Sequence, residues 1–291
     1  MKVSFIGLGV MGYPMAGHLQ QNGHQVTVFN RTSARTEQWV SQYGGGSAAS
    51  PRTAANGADI VFICVGNDDD VRSVVLGEEG ALSQMEPGTT LVDHTTASAD
   101  LALELYALCQ EVEVGFVDAP VSGGQAGAEK GLLTVMCGGS PADFARVEPA
   151  IESYARCVRL LGDAGSGQLA KMVNQICIAG IVQGLAEAMT FSEKAGLDTS
   201  AVIEVIRQGA AQSWQMENRY QTMLQDQYNH GFAVDWMRKD LGLVQDRARQ
   251  LGLSLPVTQL VDSYYAQVQA MGGGRWDTSS LFKRMQTKTG D

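Results

Sequence analysis

The chain is short of positive charge. Its 291 residues carry 21 lysines and arginines against 31 aspartates and glutamates, a formal net charge of −10. A chain of that sign has no electrostatic footprint for nucleic acid or an anionic membrane surface, although a local basic pocket for a small anion stays open. Cysteine is also sparse and unpatterned. Cys64, Cys109, Cys137, Cys157 and Cys177 are odd in number and widely spaced, with no CxxC pair, so no metal site and no redox dithiol is expected. They read as reduced, mostly buried thiols of a cytoplasmic protein. No apolar run reaches about 18 residues, so no membrane-spanning helix is expected. One lysine followed by apolar residues opens the chain, but the early glycines and the lack of a small-x-small cleavage site argue against a signal peptide. Internal repeats and low-complexity stretches are not evident.

What is abundant is glycine, 34 residues in all. That is about 12% where about 7% is usual, which implies many tight turns and close backbone approaches. Hydrophobic residues at 44% and charged residues at 18% are ordinary for a globular chain. The length suits about two domains. In the first half, short apolar runs read as strands at Lys2–Ile6, Val26–Phe29, Ile60–Val65, Val71–Val75, Thr90–Val92 and Gly115–Asp118. They alternate with helical patterns at Met11–Gln21, Ser33–Gln42 and Ser98–Gln110. Such alternation implies βαβ units and a parallel sheet. Leu132–Cys137 and Cys157–Leu160 read as further strands around a helix near Ala142–Ser153. After Leu161 the pattern changes. Gly162, Gly165 and Gly167 mark a turn, and Gln168–Ala195 then runs helically with apolar residues on most sides. A helix of that kind is expected to be buried on most sides, between domains or between subunits. Only helices are expected beyond it, at Thr199–Gln208, Ser213–Leu224, Asp235–Leu251, Pro256–Met271 and after Asp277.

Gly7-Leu8-Gly9-Val10-Met11-Gly12 is GxGxxG. Alone it is a weak signal; its position between a strand and a helix, with a second strand following, raises it. The three glycines serve a tight turn, close approach of backbone to pyrophosphate, and close packing of helix on strand. The helix N-terminus then offers N–H groups and partial positive charge to phosphates. The alternative is a glycine-rich turn without a ligand. The expected fold is therefore α/β: an N-terminal Rossmann doubly wound sheet over residues 1–162 and an all-α domain over 163–291, joined by a long interdomain helix of about 168–195. NAD binders place a carboxylate at the end of the second strand for the ribose 2′-hydroxyl. This chain has Asn30-Arg31-Thr32-Ser33 there. Arg31 can bond a 2′-phosphate, with Thr32 and Ser33 adding hydroxyl donors. A bond to a charged group contributes about 1.5–3 kcal/mol, roughly 10- to 150-fold in preference. NADP(H) is expected over NAD(H), unless Arg31 is merely a solvated surface residue. Val65-Gly66-Asn67 and Thr95-Thr96 fall at strand C-terminal ends, where doubly wound sheets gather ligands. The run Asp68-Asp69-Asp70 is more simply a helix N-terminus than a metal site.

Two segments carry candidate chemistry. Asp118-Ala119-Pro120-Val121-Ser122-Gly123-Gly124 offers a hydroxyl and, at two glycines, bare backbone N–H groups. That suits a substrate carboxylate or alcohol, and equally a plain turn. In the second segment Lys171, Asn174 and Gln175 are spaced to share one helix face within an apolar stretch. A charge on such a stretch needs a reason. Partial desolvation would make a lysine a competent general acid near neutral pH, while an interdomain salt bridge is the blander reading. Trp214, Asn218, Phe232, Asp235 and Trp236 are candidates to line a substrate site or to serve as core and caps, Asp235 more simply as a helix N-cap.

Taken together, Gly7–Gly12, Asp118–Gly124, the Gly165-x-Gly167-x-x-x-Lys171-x-x-Asn174 segment and Lys239-Asp240-Leu241 resemble the β-hydroxyacid dehydrogenases, which include 3-hydroxyisobutyrate dehydrogenase and the tartronate semialdehyde, short-chain semialdehyde and glyoxylate reductases. The resemblance spans nearly the whole chain. It implies an active site in a cleft between a Rossmann and a helical domain, with Lys171 catalytic. It also implies that Ser122, Gly123 and Gly124 bind substrate, and that Lys239 lies near nicotinamide or substrate. Many members carry Asn four residues after the lysine; here that residue is Gln175, preceded by Asn174, so either amide is a candidate to assist. Cofactor candidates are Gly7, Leu8, Gly9, Val10, Met11, Gly12, Asn30, Arg31, Thr32, Val65, Gly66, Thr96 and Lys239. The expected activity is NADP(H)-linked hydride transfer to or from a small carboxylate-bearing hydroxyacid or semialdehyde. An imine reductase, a 6-phosphogluconate-type decarboxylase and a non-catalytic NADP-binding scaffold are the alternatives. A 6-phosphogluconate enzyme pairs its lysine with a following histidine and is much longer, whereas no histidine lies near Lys171 in this sequence. The long apolar helix suggests a dimer or tetramer.

Overall fold

A computed structural model describes residues 1–288. The chain divides into two compact units, Met1–Lys171 and Met172–Asp291. The first is built on a sheet with strands β1 (Lys2–Ile6), β2 (Gln25–Phe29), β3 (Gly46–Ser47), β4 (Ile60–Ile63), β5 (Thr90–Asp93), β6 (Gly115–Asp118), β7 (Val121–Ser122), β8 (Leu133–Gly139) and β9 (Ala155–Leu160). Their order is β3-β2-β1-β4-β5-β6-β8-β7, with β9 beside β8. From β3 through β6 every pairing is parallel, and β8 runs antiparallel to both β6 and β7. The chain leaves β1 toward β2 and β3, then returns to the other side for β4. That reversal makes the β1–β4 boundary the topological switch point, where doubly wound sheets bind ligands at their C-terminal edge. Strands β4, β5 and β6 are buried at every residue. Their near-continuous apolar runs follow from covering on both faces. Two cores flank the sheet, one around Phe5, Leu19, Trp39 and Phe62, the other around Ile6, Ile63, Leu91, Leu105 and Phe116.

Helices α1 (Gly12–Gln21), α2 (Ser33–Tyr43), α3 (Pro51–Ala55), α4 (Asp68–Leu76), α5 (Ala99–Glu111), α6 (Gly124–Glu129) and α7 (Pro141–Ile151) supply the cover. One expected strand is corrected. Val71–Val75 is the body of α4, whose N-cap Asn67 accepts the Asp70 N–H and whose first turn holds Asp68, Asp69 and Asp70. A short apolar run does not separate helix from strand by periodicity. Here Val71 and Val75, one turn apart, are the residues buried in the core. The thiol expectation is also corrected: all five cysteines are free, but only Cys109 and Cys137 are buried, while Cys157 and Cys177 are exposed.

Helix α8 (Ser166–Lys194) begins in the first unit and continues into the second, which adds α9 (Thr199–Ile206), α10 (Trp214–Leu224), α11 (Val234–Gln250), α12 (Pro256–Ala270) and α13 (Leu281–Lys288). Ala179, Val182, Ala186 and Met189 of α8 join Tyr220, Met237, Leu241, Tyr265 and Leu281 in the core of this unit. The opposite face of α8 is open within the single chain, where Val173, Ile181 and Phe191 are 61%, 41% and 74% exposed. Length and composition alone would also let α8 cross a membrane, with mean hydropathy 1.3 over its most apolar window, of which 44% is buried within the protein. The expectation that no segment is long and apolar enough is corrected to that extent; a core helix meets the same criterion. Asp235 is not the N-cap of α11. Ala233 holds that position, and Asp235 lies in the first turn, accepting from Gln269 Nε2 at 2.5 Å.

Candidate active site

The glycine motif forms the turn between β1 and α1. Gly7 has φ +100°, and a Cβ there would lie 2.2 Å from the Cys64 carbonyl oxygen. A Cβ on Gly12 would lie 1.9 Å from the Gly7 oxygen, so this glycine lets α1 close onto the turn. A Cβ on Gly9, by contrast, would meet nothing within 4 Å. The backbone there is open to an approaching group. Helix α1 has no side-chain cap and no acidic residue in its first turn. The N–H groups of a first turn have no intrahelical partners, and nothing here sets a negative side chain against a phosphate. Leu8, Val10 and Met11 complete the turn, with Leu8 buried and Val10 exposed. The arrangement fits a dinucleotide pyrophosphate.

At the end of β2, Asn30 braces the turn rather than pointing away. Its Oδ1 accepts the Leu8 N–H at 3.0 Å and its Nδ2 donates to the Thr32 oxygen at 3.2 Å. Arg31 and Thr32 are exposed beside it. Arg35 is a cation that the sequence reading passed over. Its Nε donates to the Leu8 oxygen at 3.1 Å, and its guanidinium sits 4.2 Å from the Tyr13 ring centroid. A basic residue four after Arg31, on the opening turn of α2, was the available signal. Across the switch point, Thr95 Oγ1 accepts the Val65 N–H at 3.0 Å. This ties the β4 end, with half-buried Val65 and Gly66, to the β5 end, with half-buried Thr96.

Lys171 is 7% exposed, and its Nζ donates to the Val121 oxygen at 2.8 Å. Fold and sequence thus bring the lysine to the residue preceding Ser122, although 50 positions separate Val121 from Lys171. Ser122, Gly123 and Gly124 are half-buried and lead from β7 into α6. Gln168, one turn before Lys171, is 1% exposed. Its Nε2 donates to the Thr95 oxygen at 2.8 Å and its Oε1 accepts the Ala97 N–H at 3.1 Å.

The second unit holds a buried amide chain. Asn174 Nδ2 donates to Gln175 Oε1 at 2.7 Å, and Gln175 Nε2 donates to Asp240 Oδ2 at 2.7 Å. Lys239 Nζ lies 3.2 Å from Asp240 Oδ1. Gln175 and Asp240 are buried, whereas Asn174 and Lys239 are half-buried. Asp240 was quoted only as part of a motif; its neighbour Lys239 gave no sign that the carboxylate would be the hub. Of the aromatic candidates, Trp214 carries the Arg219 guanidinium 4.9 Å from its ring and Trp236 has Lys239 Nζ at 5.8 Å. Asn218 bonds back to the Trp214 oxygen, and Phe232 packs on the helical core.

Comparison with known proteins gives a consistent result. Residues 2–162 match the family model described as the NAD binding domain of 6-phosphogluconate dehydrogenase. Residues 165–285 match the model described as the NAD-binding region of NADP-dependent 3-hydroxyisobutyrate dehydrogenase. An uncharacterised oxidoreductase of Shewanella frigidimarina is 64% identical over 98% of both chains. The 2-hydroxy-3-oxopropionate reductase of Escherichia coli is 35% identical over 98% of this chain and 97% of its own. A crystal structure of 3-hydroxyisobutyrate dehydrogenase from Salmonella typhimurium is 32% identical and superposes with a TM-score of 0.87, covering 97% of this chain and 99% of that one.

Proposed function

The chain belongs to the β-hydroxyacid dehydrogenase family of nicotinamide-dependent oxidoreductases, and from that premise we propose that it is an NADP(H)-dependent reductase of small aldehyde acids. Glyoxylate, succinic semialdehyde and tartronate semialdehyde are the substrates of choice, with 3-hydroxyisobutyrate oxidation next. The observation that carries the reading is the buried Lys171 ammonium bonded at 2.8 Å to the Val121 oxygen, next to Ser122.

A bound NADPH supplies the hydride; the rest falls to the protein. The Gly7–Gly12 turn and α1 hold the pyrophosphate. Arg31, Thr32 and the nearby Arg35 favour a 2′-phosphate, and no carboxylate opposes it at the end of β2. Ser122 and the N–H groups of Gly123 and Gly124 hold the substrate carboxylate and so set the position of its carbonyl. Lys171 Nζ gives a proton to the carbonyl oxygen on reduction and takes it from the alcohol on oxidation. Asn174 is assigned as the assisting amide because it is half-buried, whereas Gln175 is buried against Asp240 and orients Asn174 through the bond between them. Lys239 is assigned to cofactor or substrate by family resemblance. The reading includes self-association through the open face of α8.

A panel of aldehyde acids and cyclic imines, followed by NADPH absorbance, tests the class. Lys171→Ala is expected to lose at least about 10²–10⁴ in kcat, with NADPH affinity changed less than about threefold. Turnover on imines alone, or a Lys171→Ala variant that keeps its rate, overturns the reading.

A further inference from the structure

The first turn of α8 is fixed by a carboxylate from another element. Asp118 ends β6 and is fully buried. Its Oδ1 accepts the Gly165 N–H at 2.7 Å and its Oδ2 accepts the Gln168 N–H at 2.8 Å. These are amides at a helix start, which lack partners within the helix. A helix cap is ordinarily local, one residue before the first turn. Here it comes from about fifty residues upstream, from the same segment that carries Val121 and Ser122. The backbone packs so closely around the cap that two glycines beside it have no room for a side chain. A Cβ on Gly167 would lie 2.4 Å from the Met136 oxygen and 2.8 Å from Asp118 Oδ2, and one on Gly138 would lie 2.5 Å from Asp118 Oδ1. Burial raises the Asp118 carboxyl to about 6 while the N–H bonds from Gly165, Gln168 and Gly167 hold it down. N–H donors on both oxygens favour the carboxylate form, which suits the positive end of a helix.

Lys171 stands one turn beyond Gln168, and its ammonium reaches back to Val121, three residues after Asp118. The strand end and the helix start thus form a closed frame: Asp118 to Gly165 and Gln168, Gln168 to Thr95 and Ala97, Lys171 to Val121. Resting on the general-acid reading of Lys171, we infer that Asp118 is a positioning residue for the reaction: its carboxylate sets the depth and rotation of the first turn of α8, and thereby the place of the Lys171 amine beside Ser122. The carboxylate itself touches neither substrate nor cofactor. A displacement of about 1 Å at a reacting group can cost about 10²-fold in rate, so the effect belongs on kcat.

Asp118→Asn keeps the shape and sets an NH2 against a backbone N–H. With NADPH and glyoxylate, kcat is expected to fall about 10²-fold, with KM and NADPH affinity within about threefold of wild type. Without substrate, the acylation rate of Lys171 by an amine reagent, read by mass spectrometry, is expected to change several-fold while that of Lys239 does not. In a Lys171→Ala background Asp118→Asn should cost almost nothing further. Should Asp118→Asn fail to fold, Asp118→Ser, which keeps one acceptor, takes its place. Unchanged kcat and unchanged Lys171 labelling overturn the inference, as do rate losses that multiply in the double variant. If instead Lys171→Ala remains active while Asp118→Asn shifts Lys171 labelling, the positioning role stands and the general-acid reading falls.

Discussion

Asp93 and Asp118 are register partners on adjacent strands, and both are buried. Burial raises the Asp93 carboxyl from 3.8 to about 7, with the neighbouring charges of Asp118 and Asp68 adding to the rise and bonds from Thr95 opposing it. His94 is driven the other way, from 6.5 to about 4, by burial. Its ring nitrogens lie 2.6 Å from the Ala119 oxygen and 2.7 Å from Tyr154 Oη, and burial favours the neutral imidazole. The signs follow from linkage. A carboxyl whose folded pKa is raised holds its proton more tightly when folded, so its contribution is greatest below about 4 and is lost as pH rises through about 7. His94 contributes above 6.5 and loses its contribution as pH falls toward 4. The two partly cancel in the wild type, and a difference measurement separates them. Asp93→Asn retains an oxygen for the Thr95 N–H, bonded at 2.8 Å. Its stability relative to wild type, from denaturant midpoints, is expected to climb between about pH 4 and 7 and level off above; a flat difference contradicts the Asp93 assignment. The cofactor choice is a residue-scale matter too. Arg31→Asp is expected to shift the NADPH/NADH ratio of kcat/KM toward NADH by roughly 10- to 150-fold. An unchanged ratio removes Arg31 from the 2′-phosphate site and leaves Arg35 as the candidate.

Elements were most legible where chemistry and periodicity coincide. Lys2–Ile6, the glycine turn and the helix after it were readable because the motif predicts its own flanks, and the strand at Lys2–Ile6 is confirmed residue for residue. Gly12 tests the strictness of that turn. A Cβ would fall 1.9 Å from the Gly7 oxygen and 2.9 Å from Phe5 Cε1, so backbone must move. Gly12→Ala is expected to cost about 1–3 kcal/mol by overpacking and to lose more NADPH affinity than stability alone explains, checked by thermal melting and NADPH fluorescence titration. Short elements were not legible. The two-residue strands β3 and β7 exist only through their pairing with β2 and β8, and α3 and α6 span five and six residues. The five residues of Val71–Val75 do not separate a short strand from one buried helix face in so short a window. The bonds that organise the candidate site, Asp118 to Gly165 and Gln168 and Gln175 to Asp240, span 47 to 65 residues. No local pattern announces them.

At the scale of the whole molecule the sequence identified α8 as apolar but not which side is covered. Packing within the second unit takes Ala179, Val182, Ala186 and Met189. It leaves Val173, Cys177, Ile181, Gly184, Ala188 and Phe191 exposed, a spacing of three and four that keeps them on one face. Such a stripe of bulky and small residues is suited to another helix lying close along it, and a second copy of the chain presents the same stripe, as two-fold association requires. The wild-type protein is therefore expected to run as a dimer or larger in light scattering at micromolar concentration. A charge at the centre of the stripe, Ile181→Glu, would face its counterpart or bury unpaired, an arrangement that costs several kcal/mol per ion, and should shift the population to monomer. Because Ile181 is exposed within the single chain, the variant monomer should keep its far-ultraviolet circular dichroism, which separates lost association from lost folding. A wild type that is monomeric throughout, or a variant that remains fully associated, removes α8 as the interface; recovery of the wild type but not the variant on phospholipid vesicles would assign the stripe to a membrane surface instead.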